Sequence, residues 1–298
     1  MIRIGYLGAE TASGETKRLD ALRASLRDLG YVEGKNIVIE SRWADGSYDR
    51  LPALAAELVR LKVDVMVTVG TKGVLGAKHA TTTIPIVMQS SGDIVSLGLV
   101  ASLARPGGNI TGSTNVGREL GQKRLQLLKD AVPHMVEVGY LVNPENPAFG
   151  PNLQALWATA KSLKLQLQPF EARGSGDFER AFSEMAKRRV HAVLLQDDTS
   201  FGAHASEIAD LAAKHRLPLA AGYSFAAAGA LLSYGPNLRE TDRRAAYFVD
   251  RILKGANPGD LPIEQPTKFE LVIDARKAKA LGIKIPRQLL VRADKVIE

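Results

Sequence analysis

Residues 63–87, VDVMVTVGTKGVLGAKHATTTIPIV, decide the fold. Val63 to Val69 is an apolar run suited to a buried strand, Gly70-Thr71-Lys72 is a short polar loop, the next residues continue as a helix, and Ile84-Pro85-Ile86-Val87 opens a second strand. Parallel neighbours need a crossover of about a dozen residues or more, usually a helix, so this order predicts a parallel sheet. Residues 190–221, VHAVLLQDDTSFGAHASEIADLAAKHRLPLAA, repeat it down to the X-Pro strand. IRIGYLGAETASG (2–14) is echoed in turn by VEVGYLVNPENPAFG (136–150). Two echoes in the same order, offset by roughly 130 residues, make chance a poor account. The chain reads as α/β, with two similar doubly wound parallel-sheet lobes.

The junction falls near GGNITGSTNVGREL, where Gly107, Gly108 and Gly112 permit unusual backbone angles before a helix from Glu119 to Ala131. After ALLSYGPN comes a helix, RETDRRAAYFVDRILKG, closed by Gly255, and then a strand, FELVID. A chain that builds one lobe, then the other, then returns crosses between them three times. The expected division is 1–113 plus about 236–262 for the first lobe and 118–232 plus about 265–298 for the second. The hinge segments then lie near 112–118, 230–236 and 262–268.

At 298 residues and 45% hydrophobic content the chain can bury a large core, and its apolar runs fall far short of the roughly 20 residues of a membrane span. No basic and apolar leader precedes IRIGYL, so either no secretory signal existed or a mature form carries a new Met1. The absence of cysteine excludes disulfides and thiolate chemistry. The formal charge of +7 is spread along many predicted helices, and aromatics, at 6%, are not interleaved with it; no nucleic-acid partner is expected.

Ligands of open parallel sheets bind beyond the carboxyl ends of the strands. TIPIVMQSSGD (83–93) ends a strand there in five small polar residues, before IVSLGLVASLA, which reads as helical. The candidate ligand-binding residues of the first lobe are Ala9, Glu10, Thr11, Gly70, Thr71, Ser90, Ser91 and Asp93. Those of the second are Asn143, Phe149, Asp197, Asp198, Phe201 and Tyr223. Hydroxyls beside helix N-termini suit a carboxylate, Asp197 or Asp198 suits an ammonium, and the aromatics, with Phe225, suit an apolar or aromatic group. Any one of the polar residues is equally an ordinary helix cap. No dinucleotide, P-loop, G-x-S-x-G or metal-ligand spacing is present, so neither a catalytic residue nor a cofactor or metal is expected.

LGYVEGKNIVIESRWADGSYDRLPALAAELVRLKVDVMV, ATTTIPIVMQSSGDIVSLGLVASLARPGGNITG, KRLQLLKDAVP, RRAAYFVDRILKGANPGDLPIEQPTKFELVID and AKALGIKIPRQLLVRAD resemble the ABC transporter substrate-binding protein family with tryptophan- and tyrosine-binding members. The family usually reads Gly-Asp-Pro-Val where this chain has Gly92-Asp93-Ile94-Val95. The resemblance implies a type 1 periplasmic-binding-protein fold with a three-crossover hinge that closes on a small ligand. It also implies a periplasmic location, a leader removed, a membrane permease as partner and a monomer. The expected ligand is an aromatic amino acid or related aromatic carboxylate, with a branched-chain amino acid as the alternative. A sensory domain of the same fold is the alternative role.

Overall fold

The structure is a computed structural model that describes residues 1–298 other than Asp93, Val116 and Asn237, and the side chains of these other than Leu238, Arg239 and Glu240. It divides into unit 1, Met1–Val116 with Leu238–Pro266, and unit 2, Gly117–Asn237 with Thr267–Glu298.

Unit 1 runs β1 (Ile2–Gly8), α1 (Ala12–Asp28), β2 (Ile37–Trp43), α2 (Leu51–Arg60), β3 (Val65–Val69), α3 (Gly70–Ala80), β4 (Ile86–Ser90) and β5 (Ile110–Gly112). Unit 2 continues with α4 (Gly117–Ala131), β6 (Glu137–Val142), α5 (Phe149–Ser162), β7 (Gln166–Glu171), α6 (Ser175–Lys187) and β8 (Ala192–Leu195). Then come α7 (Thr199–Ala203), α8 (Ala205–Lys214), β9 (Leu219–Ala221) and β10 (Leu232–Pro236). The chain returns to unit 1 for α9 (Leu238–Leu253) and ends in unit 2 with β11 (Phe269–Asp274), α10 (Ala275–Leu281), α11 (Arg287–Arg292) and β12 (Lys295–Ile297).

Sheet order is β2-β1-β3-β4-β5 in unit 1, all parallel, and β7-β6-β8-β9-β10 in unit 2, extended by β11 and β12. The two orders are the same once renumbered, so the sequence echo is a structural repeat. Each sheet is covered on both faces, which is why its strands are continuous apolar runs. In unit 1, Leu7, Met66 and Met88 pack one way with Leu51, Leu58, Val74 and Ala77, whereas Tyr6, Val67 and Val87 pack the other way with Leu22, Leu26, Ala245, Phe248 and Val249. The second face thus needs α9, delivered from residues far along the chain.

Two expectations change. IVSLGLVASLA is turn and bend, not helix: Gly98 takes φ 67° and Gly107 φ 75°, and the segment folds back so that Ile94 and Val100 enter the core. Unit 2 is not wholly parallel, because Pro236 pairs with Phe269 and β11 therefore starts beside the end of β10 and runs back along it. No helix among the described residues is long and apolar enough to cross a membrane.

Gly112 shows how tightly the β4–β5 pair is built. Its φ is 125°, and a Cβ there would lie 2.3 Å from Met88 O and 2.5 Å from Met88 N. Gly112→Ala is expected to destabilise the protein by roughly 3 kcal/mol or more through strain plus a backbone clash. Gly34→Ala, at φ 80° with nothing within 4 Å, should cost about 1 kcal/mol. Chemical denaturation of both variants measures the difference, and equal losses would refute the clash.

Candidate functional site

The carboxyl ends of β1, β3, β4 and β5 form the rim of unit 1. Thr11 is the N-cap of α1, its Oγ1 accepting from Gly14 N at 3.1 Å. Among the described residues no side chain caps α3, which starts directly off β3 on Gly70 at φ 74°. The first amides of such a helix are open to an anion. Thr71 Oγ1 accepts from Gly92 N at 3.2 Å, and Ser90 Oγ accepts from Asn115 Nδ2 at 2.8 Å. The rim thereby brings together Thr71, Ser90, Ser91 and Asn115. Ser91 is 2% exposed, and its Oγ, like Asn115 Oδ1, has no hydrogen-bond partner among the described residues. Leaving a buried polar group unsatisfied costs about 1–3 kcal/mol. Asp93 lies outside the described residues.

Beneath this rim is a second layer, to which the sequence-predicted Ala9 and Glu10 belong and whose Tyr6, Glu15 and Asp242 the sequence reading missed. Ala9 and Glu10 are buried, and Glu10 N donates to Glu15 Oε1 at 3.0 Å. The Tyr6 hydroxyl lies 2.9 Å from Glu15 Oε2 and 3.1 Å from Gln89 Oε1. Burial first, then the Glu15 charge, push the Tyr6 phenol well above its usual range, so it stays a neutral donor. Asp242 reaches in from α9, with Oδ1 3.4 Å from Arg18 Nη1. Burial raises its pKa to about 6, with Glu15 adding to the rise and Arg18 opposing it.

In unit 2 the rim carries Asn143, Gln196, Asp197 and Asp198. Asn143 N donates to Gln196 Oε1 at 2.8 Å. The two aspartates, both offered as partners for one ammonium, go to different neighbours. Asp198 caps α7: its Oδ1 accepts from Ser200 N at 3.0 Å and Ser200 Oγ at 2.6 Å, and its Oδ2 accepts from Asn146 Nδ2 at 2.8 Å. Asp197 Oδ2 instead lies 2.8 Å from Nη1 of Arg124, a fully buried side chain on α4. The Arg124 Nε donates to Tyr234 O at 2.7 Å. Tyr140, the counterpart of Tyr6 in the repeat, sits in the same buried region, its phenol raised by burial and then by the Asp197 charge.

The aromatic candidates separate too. Phe201 is wholly buried, packed edge-on to Phe178 with centroids 5.6 Å apart, and belongs to the core. Phe225 is buried in that same core. Phe149 and Tyr223 are half-buried, the first against the other core of unit 2. Arg124 and Asp242 had one signal in the sequence: each holds a charge on the apolar stripe of its helix, Arg124 beside Leu120, Leu127 and Leu128, Asp242 beside Ala245, Ala246 and Val249. Among the described residues no three His, Asp or Glu side chains converge as a metal site.

A sequence model of one family, described as ABC transporter substrate binding protein, matches residues 12–297. A tyrosine-binding protein of Clostridioides difficile is 25% identical over 260 residues, 87% of this chain and 74% of that one. A Streptococcus pneumoniae ABC domain solved with L-Trp superposes with a TM-score of 0.90 at 22% identity, covering 99% of both chains. A conserved domain protein of Vibrio cholerae gives a TM-score of 0.91 at 26% identity, again over 99% of both.

Asp242 supplies a test of the buried layer. Because its folded pKa stands above the ordinary 3.8, folding takes up a proton between about pH 4 and 6, and its contribution to stability falls as pH rises through that window. Asp242→Asn is expected to raise stability at pH 7.5 by up to roughly 3 kcal/mol, with the gain shrinking toward pH 4. Thermal melts of both proteins across this range measure it; a gain that does not change with pH would contradict the burial argument.

Proposed function

The chain belongs to the ABC transporter substrate binding protein family, and from that premise we propose that it captures an aromatic amino acid, or a related aromatic carboxylate, for an ABC importer. The protein works outside the cytoplasm, without catalysis, and hands its ligand to a membrane permease. Binding draws the two units together about the three chain crossings, at 116/117, 237/238 and 266/267.

The observation that carries the reading is the Ser91 hydroxyl. It is buried at the rim of unit 1, has no protein partner among the described residues, and lies one residue before Gly92, whose amide is tied to the first turn of α3. Uncapped helix amides with a spare hydroxyl beside them recognise a carboxylate. Asp197, with side chain 37% exposed, supplies the complementary acid for an ammonium. Tyr223 and Phe149 remain as aromatic surfaces, Phe201 and Phe225 having gone to the core. Relatives that are named for tyrosine, or solved with L-Trp, support the aromatic choice.

Native mass spectrometry of the purified protein, followed by calorimetry with tyrosine, tryptophan, phenylalanine and aromatic acids, tests the ligand class. Binding of one of them, with a fall in radius of gyration by small-angle scattering, is expected. A retained sugar, or no binding of any at millimolar concentration, overturns the aromatic reading.

Ser91→Ala tests the carrying observation. If the hydroxyl serves the ligand, affinity drops by about 1 kcal/mol or more, a five- to tenfold rise in Kd, while the melting temperature stays put or rises. A loss of stability with unchanged affinity would make Ser91 a structural residue.

A further inference from the structure

Arg124 is buried to 2% of its side-chain surface, yet the carboxylate it holds, on Asp197, is 37% exposed. The buried guanidinium grips from below through Nη1–Oδ2 at 2.8 Å and is itself fixed by Nε donating to Tyr234 O at 2.7 Å. Two glycines make room for this pair. A Cβ on Gly222 would lie 2.9 Å from Asp197 Oδ1 and 3.4 Å from Arg124 Nη2, and one on Gly235 would lie 3.2 Å from Arg124 Nη2. Neither glycine has a positive φ, so space and not backbone conformation calls for them. The repeat sharpens the point. Aligning Pro85 with Pro218 places Gln89 where unit 2 has Gly222, and Gln89 fills its place in unit 1 by meeting Tyr6. Unit 2 gives up that side chain to seat an ion pair.

We propose that Arg124 is the positioning residue for recognition of the ligand's ammonium: it pins one oxygen of Asp197 and leaves the other, Oδ1 above the Cα of Gly222, set to accept from the cation. This rests on the amino-acid reading above. Asp198 cannot take the role, since both of its oxygens are engaged in the α7 cap and with Asn146. A carboxylate held on its buried side by a charge-assisted hydrogen bond loses little freedom when it binds, which is how a second layer improves a first. Arg124 does not touch the ligand. Its effect therefore travels only through Asp197, and only to ligands that carry an ammonium.

The test pairs each aromatic amino acid with its des-amino acid: L-tyrosine with 3-(4-hydroxyphenyl)propanoate and L-tryptophan with 3-indolepropanoate. Calorimetry is run on the wild-type protein, Asp197→Asn, Arg124→Lys and Gly222→Ala. Gly222→Ala keeps both charges and only fills the space beside them, so it carries the test if Arg124→Lys does not fold. The amino acids are expected to lose tenfold or more in affinity in each variant, while the des-amino acids change less than twofold. Equal losses for the two classes would mean that the pair is only structural and would overturn the proposal, as would no loss for either. Wild-type binding of the des-amino acids but not the amino acids overturns it while leaving the aromatic reading intact. Binding of neither class overturns the aromatic reading, and this proposal with it.

Discussion

A guanidinium removed from water is stable only where carbonyl and carboxylate oxygens replace its hydration. Arg124 meets that condition by joining three parts of unit 2: the first helix after the chain enters the unit, the middle of β10, and the loop after β8. Most of the geometry of that rim follows from this requirement. Asp197 must come inward to the arginine, Gly222 and Gly235 must lack side chains to admit it, and Asp198, one residue on, is left to start α7. Unit 1 makes a related arrangement with the charge reversed, where Asp242 on its incoming helix reaches Arg18 on α1.

Those incoming helices also explain why the chain crosses as it does. β1 to β5 would leave one sheet face covered by α1 alone, and Ala245, Phe248 and Val249 of α9 complete it. A fragment ending at Val116 would expose that apolar face, so the first half of the sequence is not a self-sufficient folding unit. Ser113 bridges to Glu264 in unit 1, and Pro236 pairs with Phe269 in unit 2. The segments leading to the crossings thus run side by side within each unit.

What could be read from the sequence was whatever repeats or alternates. Continuous apolar strands, X-Pro strand starts and the Gly-Tyr-Leu echo of β1 and β6 gave the class, the repeat and the strand ends, because burial on both faces leaves a pattern that needs no partner to be seen. Polar residues at strand ends could be placed but not sorted. Asp197 and Asp198 are chemically identical in the sequence, and only tertiary neighbours make one a cap and the other half of an ion pair. Phe201 and Tyr223 were likewise indistinguishable until the core took the first. The antiparallel β11 and the non-helical 94–104 depended on where the chain re-enters a sheet and on two left-handed glycines, and periodicity carries neither.

The repeat makes the chemistry of the two rims comparable position by position. Strand registers that align Val65 with Ala192 also align Gly70 with Asp197 and Thr71 with Asp198. At one place in the fold, then, unit 1 has a glycine that turns a strand straight into an uncapped helix, and unit 2 has an acid drawn onto a buried arginine. The first surface presents helix amides and hydroxyls; the second presents a carboxylate. A duplicated scaffold thus carries opposite polarity at equivalent places in its two units. The shared backbone sets where these groups stand, and a few substitutions within it set the sign.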